Sequence, residues 1–216
     1  MPVTLFLTRH GVSEHNTHTD YYMGRSPASR LVEKGRQQAR SLGRRLARQG
    51  GLRHIIASSL PRTMETAELI ARETGVSRVE GMDAFWELNK GEWEGRMRRD
   101  GVPVETAAAL RNDPYGFRYP GGESYQDVLA RVAPALESWR ERAGGETTLL
   151  VLHGDVIRVV LYHLLRFPSE NIRDPVIFPC SLSEFLYDQG HYRLVRYNDD
   201  SHLIQEDLDS GLAFGF

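Results

Sequence analysis

The sequence predicts an α/β fold: a mostly parallel central sheet covered by helices, with a lid inserted in its middle. Three observations carry this. Strand and helix patterns alternate twice within the first third of the 216 residues. A polar, proline-bearing stretch then breaks the alternation. Regular strand and helix patterns return after Glu123 and run almost to the end.

Val3 to Thr8 (VTLFLT) is a short apolar run of strand formers that stops at Arg9-His10-Gly11. Val12 to Arg30 is polar, with Gly24 and Pro27, and reads as a loop. A helix follows from about Glu33 to Gln49, with Ala39, Leu42 and Leu46 on one face and Gly50-Gly51 as its stop. His54 to Ala57 is a second strand. Pro61 suits the first turn of the next helix, which carries Met64, Ala67 and Ile70 on one side and ends at Gly75. Val76 to Val79 is expected as a third strand. Phe85 to Gly95 mixes aromatics, acids and glycines, and 96–122 is polar with three prolines. The whole stretch 85–122 is expected as the lid, with one short helix near Val104 to Arg111.

From Tyr125 to about Glu141 apolar residues recur at helical spacing: Val128, Val132, Leu136 and Trp139. Thr147 to Leu152 is a strongly apolar strand that ends at His153-Gly154. Asp155 is placed to cap the helix Val156 to Leu165. Ser183 to Tyr187 and Tyr192 to Tyr197 read as paired strands joined by Asp188-Gln189-Gly190. One domain spanning 1–216 accounts for the pattern.

Composition narrows the function. The formal net charge is -2, which gives no global attraction to nucleic acid or anionic lipid. No apolar run is long enough for a membrane span, and Met1 to Thr8 reads as a strand rather than a signal peptide. Cys180 is the only cysteine, so an intrachain disulfide is excluded and a cytoplasmic location is expected. Lys34 and Lys90 are the only lysines; the other basic residues are arginines. His15, His18 and Asp20 lie in a loop whose spacing matches no zinc pattern, so neither a metal nor a cofactor is expected. An exposed sheet edge would support a homodimer.

Two strands thus each deliver a histidine followed by glycine. In a parallel sheet both strand ends lie at one edge, where ligands bind. Glycine lets a ligand approach the backbone, and neighbouring amides can cradle an anion. Arg9 sits beside His10, and Arg62 lies just beyond the second strand. Two guanidinium groups suit a phosphate dianion. A largely neutral imidazole is the strongest free nucleophile in such a cluster. Glu87, between Trp86 and Leu88, is the candidate proton donor, because aromatic surroundings raise a carboxyl pKa.

These residues carry a resemblance. Thr8-Arg9-His10-Gly11 continuing to Glu14 and Asn16 resembles the signature of the histidine phosphatase superfamily, the phosphoglycerate mutase-like family. Ser58-Ser59-Leu60-Pro61-Arg62-Thr63 resembles its second arginine motif, and Glu87-Leu88 through Gly91-Glu92-Trp93-Glu94-Gly95 its acid motif. Pro120-Gly121-Gly122-Glu123-Ser124, Leu152-His153-Gly154 and Asn198-Asp199 with His202-Leu203 also fit.

The resemblance implies a three-layer α/β/α sandwich with lid insertions. It implies that His10 takes the phosphoryl group, that Arg9, Arg62 and His153 hold it, that Asn16 contacts it and that Glu87 donates the proton. Gly154 and Arg25 join Asn16 as expected substrate contacts. Two departures bear on the substrate. The stretch 24–31 lacks the acidic residue many members carry and puts Arg25 and Arg30 near the expected entrance. Asp155 stands where many members have a small residue.

The expected activity is hydrolysis of small phosphorylated metabolites through phosphohistidine, without metal. The chain is short for a full mutase lid, which makes phosphoglycerate mutase the second reading and a catalytically silent phospho-ligand binder the third. The bland alternatives are a strand-end structural role for His10 and His153, surface ion pairs for the arginines, an Asx turn for Asn16 and a solvated loop for Arg25.

Overall fold

A computed structural model describes residues 3–17 and 20–203. Six strands, β1 (Val3–Arg9), β2 (Leu52–Ser58), β3 (Val79–Met82), β4 (Thr147–Leu152), β5 (Leu182–Asp188) and β6 (His191–Asp199), form one sheet in the order β3-β2-β4-β1-β5-β6. β3, β2, β4 and β1 run parallel; β5 and β6 are antiparallel to their neighbours. Six helices accompany them: α1 (Glu14–Thr17), α2 (Glu33–Gln49), α3 (Pro61–Thr74), α4 (Val104–Asn112), α5 (Tyr125–Ala143) and α6 (Gly154–Leu165).

The strand period of two divides the core into two faces. Phe6, Ile55, Leu149 and Val151 face one way and pack with Ala39, Leu42 and Leu46 of α2 and Ala67 and Ile70 of α3. Leu5, Leu7, Ile56, Leu150 and Leu152 face the other way and pack with Val128, Val132 and Trp139 of α5 and Val156 and Val160 of α6. This is the three-layer α/β/α sandwich. β4 lies at its centre, so its run of apolar residues is buried on both sides, which is why it shows no alternation.

Three details depart from the sequence reading. β3 begins at Val79, not Val76; residues 76–78 connect it to α3. The stretch 85–122 divides in two. Phe85, Leu88 and Trp93 are buried, and Trp93 packs on Tyr22 and Tyr119, so these three side chains belong to the core. α4, by contrast, buries no residue. Finally, Asp155 does not cap α6. The N-cap is His153 and has no side-chain cap bond, and the Asp155 carboxylate is taken by other partners.

The loop after β1 is pinned residue by residue. The Gly11 amide donates to Thr66 Oγ1 at 3.1 Å, the Val12 amide to Gln38 Oε1 at 3.0 Å and the Ser13 amide to Asn16 Oδ1 at 2.9 Å. Those amides are therefore spent within the protein and do not cradle an anion, contrary to the sequence expectation. The loop also touches α2 backbone to backbone. A Cβ on Gly35 would stand 2.0 Å from the Val12 carbonyl oxygen, and one on Gly11 2.4 Å from that of Gly35. Backbone cannot swing aside as a side chain can. Gly35→Ala is therefore expected to cost about 2 kcal/mol or more in a urea melt, as overpacking does; a variant as stable as the parent would contradict this contact.

Candidate active site

The pocket forms at the carboxyl ends of β1, β2 and β4. Thr8 and Arg9 pair with Val151 and Leu152, so His10 and His153 leave adjacent strands side by side. Their rings lie 5.3 Å apart at 65°. The cavity measures about 780 Å³, and Arg9, His10, Asn16, Arg62, Glu87 and Gly154 all line it. Of the residues singled out in the sequence, the structure thus brings six together with His153 adjoining.

His10 is buried, and its orientation is fixed. Nδ1 lies 2.8 Å from the Gly11 carbonyl oxygen, which can only accept, so Nδ1 carries the proton. Nε2 is then the unprotonated nitrogen, and its lone pair accepts from Arg62 Nε. Burial, with Arg62 and Arg9 alongside, holds the His10 pKa well below the ordinary histidine value. The ring is accordingly neutral at physiological pH.

Arg62 is 2% exposed. Its Nε donates to His10 Nε2 at 3.3 Å, Nη1 to the Arg25 carbonyl at 2.9 Å and Nη2 to the Gly24 carbonyl at 3.2 Å. Burial pulls its pKa down to about 10, still far above neutrality. Arg9 donates through Nη1 to the Ile177 carbonyl at 2.9 Å, while its own carbonyl accepts from the Cys180 amide.

His153 Nε2 lies 2.9 Å from Ser58 Oγ, which in turn accepts from the Leu60 amide at 3.4 Å. The hydroxyl proton is then free for Nε2, which leaves the His153 proton on Nδ1. Among the described residues that Nδ1 is buried with no partner, and so is Arg9 Nε. Two buried donors without acceptors are costly unless something fills the need. A phosphate oxygen is an acceptor of the kind both donors call for. Gly154 lies next to this spot: a Cβ there would stand 3.8 Å from Arg9 Nε and cover part of its approach.

Asn16 also supplies a donor. Its Oδ1 accepts from both the Ser13 amide and hydroxyl, so its amide NH₂ is the group left for the cavity. Arg25 behaves differently from the expectation. Its side chain turns to Glu123 at 2.8 Å, lies over the Trp86 ring and does not line the cavity. What Arg25 gives the site is its carbonyl, which holds Arg62. Arg98 also lines the cavity, stacked over Tyr22, whereas the nearby Arg96 and Arg99 do not line it.

Glu87 sits in the wall with its Oε1 accepting from the Leu88 amide at 2.9 Å. Burial first, and Asp155 second, raise its pKa above the ordinary carboxyl value. Its loop is held by Glu123, which accepts from the Asn89 amide and from Arg131, and by Glu94, which accepts from the Lys90 and Arg25 amides.

Sequence reasoning missed a second cluster beside Glu87. Asp155 Oδ1 accepts from Tyr125 Oη at 2.7 Å and from Arg158 Nη1 at 2.8 Å; Lys90 Nζ lies 3.3 Å from Oδ2. All four residues line the cavity. Burial opposes the Asp155 charge, but Lys90 and Arg158 overcome it and hold the carboxylate ionised. One signal was available: Lys90 is one of only two lysines in an arginine-rich chain. Among the described residues no cluster of three or more His, Cys, Asp and Glu side chains is placed to hold a metal; His18 lies outside them.

The sheet order, the paired histidines and the buried arginines define a phosphoryl-handling α/β protein. The chain belongs to the histidine phosphatase superfamily, branch 1, whose family model matches residues 5–200. It is 34% identical over 213 residues to the probable phosphoglycerate mutase GpmB of Salmonella paratyphi B, covering 95% of this chain and 97% of that protein. Among solved structures it is similar to YhfR of Bacillus stearothermophilus, at 30% identity and a TM-score of 0.82, over 92% of this chain and 98% of that one. A mycobacterial glucosyl-3-phosphoglycerate phosphatase superposes with a TM-score of 0.80 at 25% identity, over 92% and 100% of the two chains. No helix among the described residues is long and apolar enough to cross a membrane.

Proposed function

We propose that the protein hydrolyses small-molecule phosphate monoesters through a phosphohistidine at His10, without metal. The observation that carries this reading is the orientation of His10. A neutral imidazole, its Nδ1–H tied to a carbonyl, presents Nε2 beside the buried Arg62 guanidinium, in a cavity that Arg9 also lines. In the first step the Nε2–P bond forms while the P–O ester bond breaks, and Glu87 gives its proton to the leaving alcohol oxygen. Arg9, Arg62, His153 Nδ1–H and the Asn16 amide hold the equatorial oxygens, where charge accumulates. In the second step water attacks phosphorus, the Nε2–P bond breaks and Glu87 takes the water proton. Orthophosphate leaves and the starting state is restored.

The substrate is a small phosphorylated metabolite. A cavity of about 780 Å³ accepts an alcohol well beyond three carbons, and Tyr21, Tyr22, Tyr119 and Tyr125 in its wall suit a sugar or ring. We take the lid to lie within 85–122, around α4, which buries no residue. A cytoplasmic location fits the buried Cys180, whose thiol pKa burial pushes up, keeping it protonated and inert.

The name of the Salmonella relative favours phosphoglycerate isomerisation as the second reading. The same phosphohistidine would serve, with the group returned to the substrate rather than to water. Product analysis decides. A phosphate-release screen across metabolite monoesters should find free phosphate, unaffected by chelator, with at least one ester turned over efficiently by kcat/KM. Conversion of 3-phosphoglycerate to its isomer without phosphate release would reverse the order of the two readings. Saturable binding with neither release nor labelling of the protein would favour a silent binder.

A further inference from the structure

Asp155 is an anion built into a pocket that must receive an anion. An unneeded carboxylate there would repel the substrate, so its retention calls for a physical reason. Three groups are committed to holding it: Tyr125 from α5, Arg158 one turn along α6, and Lys90 from the same loop as Glu87. Glu87 and Lys90 are three residues apart, both line the cavity that Asp155 lines, and Lys90 Nζ reaches Asp155 Oδ2 at 3.3 Å. We infer that Asp155 is a positioning residue that keeps the proton on Glu87 until the ester oxygen takes it, with Lys90 as its counterweight. The inference rests on the reading of Glu87 as the proton donor.

The charges around Glu87 explain why such a device is needed. Arg9 reaches it from β1, Arg62 from α3, Arg158 from α6 and Lys90 from its own loop, while Arg25 and Arg131 donate to its carbonyl. Every one of these cations favours the ionised carboxylate, which cannot act as an acid. The cations that bind phosphate thus work against the group that must protonate the leaving oxygen. Burial opposes them, and the Asp155 carboxylate acts on Glu87 in the same direction as burial. Lys90 keeps Asp155 ionised and prevents its charge from acting on the incoming phosphate in full. In a partly buried pocket a unit charge several ångströms away is worth about one pKa unit.

The sign follows directly. Glu87 must be protonated at the start of each cycle, so kcat/KM falls as pH rises through its pKa. Asp155→Asn keeps the shape and an acceptor for Tyr125 but removes the charge. It should move the basic limb of the kcat/KM profile down by about one pH unit. Lys90→Gln should move that limb up by a similar amount, because it removes a cation from the same neighbourhood. Opposite displacements from two neighbours are not produced by loosened packing, and melting curves on both variants check their folding. A basic limb that stays fixed in both, or moves the same way in both, overturns the inference. Glu87→Gln serves as the separate control. If it leaves the basic limb in place, the limb belongs to another group, and the proton-donor reading falls together with the role of Asp155. If it removes the limb while Asp155→Asn leaves it unmoved in the parent, only the role of Asp155 fails.

Discussion

His10→Ala should abolish turnover, lowering kcat by at least ~10⁴-fold, a typical scale for losing a covalent nucleophile. The reason is in the geometry. Arg9, Arg62 and His153 remain able to bind a phosphate oxygen, but the Nε2 that would take the phosphoryl group is gone. Cys180 is buried against the far side of Arg9 and stays protonated. Rapid quenching of the parent with a ³²P-labelled ester should leave label on the protein that is lost in acid and kept in alkali, as expected of a phosphoramidate. His10→Ala should carry no such label. The low pKa of His10 adds a second expectation. Burial and two guanidinium groups keep the ring neutral well below the ordinary histidine range, so the nucleophile is not switched off by mild acid. Activity that falls away through pH 6.5 in step with an ordinary histidine would contradict the pocket described here.

Glu87→Gln should divide substrates by their leaving group. A glutamine fills the same space and still accepts from the Leu88 amide, but it has no proton to give. An alkyl phosphate, whose alkoxide is a poor leaving group, should lose about 10²–10⁴-fold in kcat/KM. A nitrophenyl phosphate needs no proton to depart and should lose far less in the first step. The second step then suffers, because Glu87 no longer takes the proton from water. The expected trace is a burst of nitrophenol close to one equivalent of enzyme, followed by slow turnover. Equal losses for both esters, with no burst, would remove Glu87 from the proton path and leave its raised pKa as a consequence of burial alone.

Much of this site could be read from residue order, because its parts are local. A strand that ends in a histidine and a glycine declares its own edge, and Pro61 at the first position of α3 fixes where Arg62 stands. The helical half of the core follows from apolar spacing in α2 and α5, and the short apolar runs of β1 and β4 mark strands buried on both faces. What could not be read depends on contacts between distant segments. An aspartate just after His153-Gly154 has the local form of a cap; only the approach of Lys90 and Tyr125, 65 and 30 positions away in the chain, gives it another use. Arg25 lies in a loop near the entrance, and nothing local tells that Glu123 will claim it. The amides after His10 look available for an anion until Thr66 and Gln38 arrive from two helices. Trp93 and Leu88 sit in a polar, glycine-rich run whose composition hides their burial.

The segment between α6 and β5 has a practical corollary for redesign. Its carbonyls at Pro175 and Ile177 hold Arg158 and Arg9, and Cys180 closes back on the end of β1. Those positions are moorings for the chemistry and should be left alone. Glu170, Arg173 and Asp174, a few residues earlier, reach the same cavity without mooring anything in it. Randomising these three positions offers a way to retarget the enzyme toward new alcohols while the phosphoryl half of the reaction stays untouched.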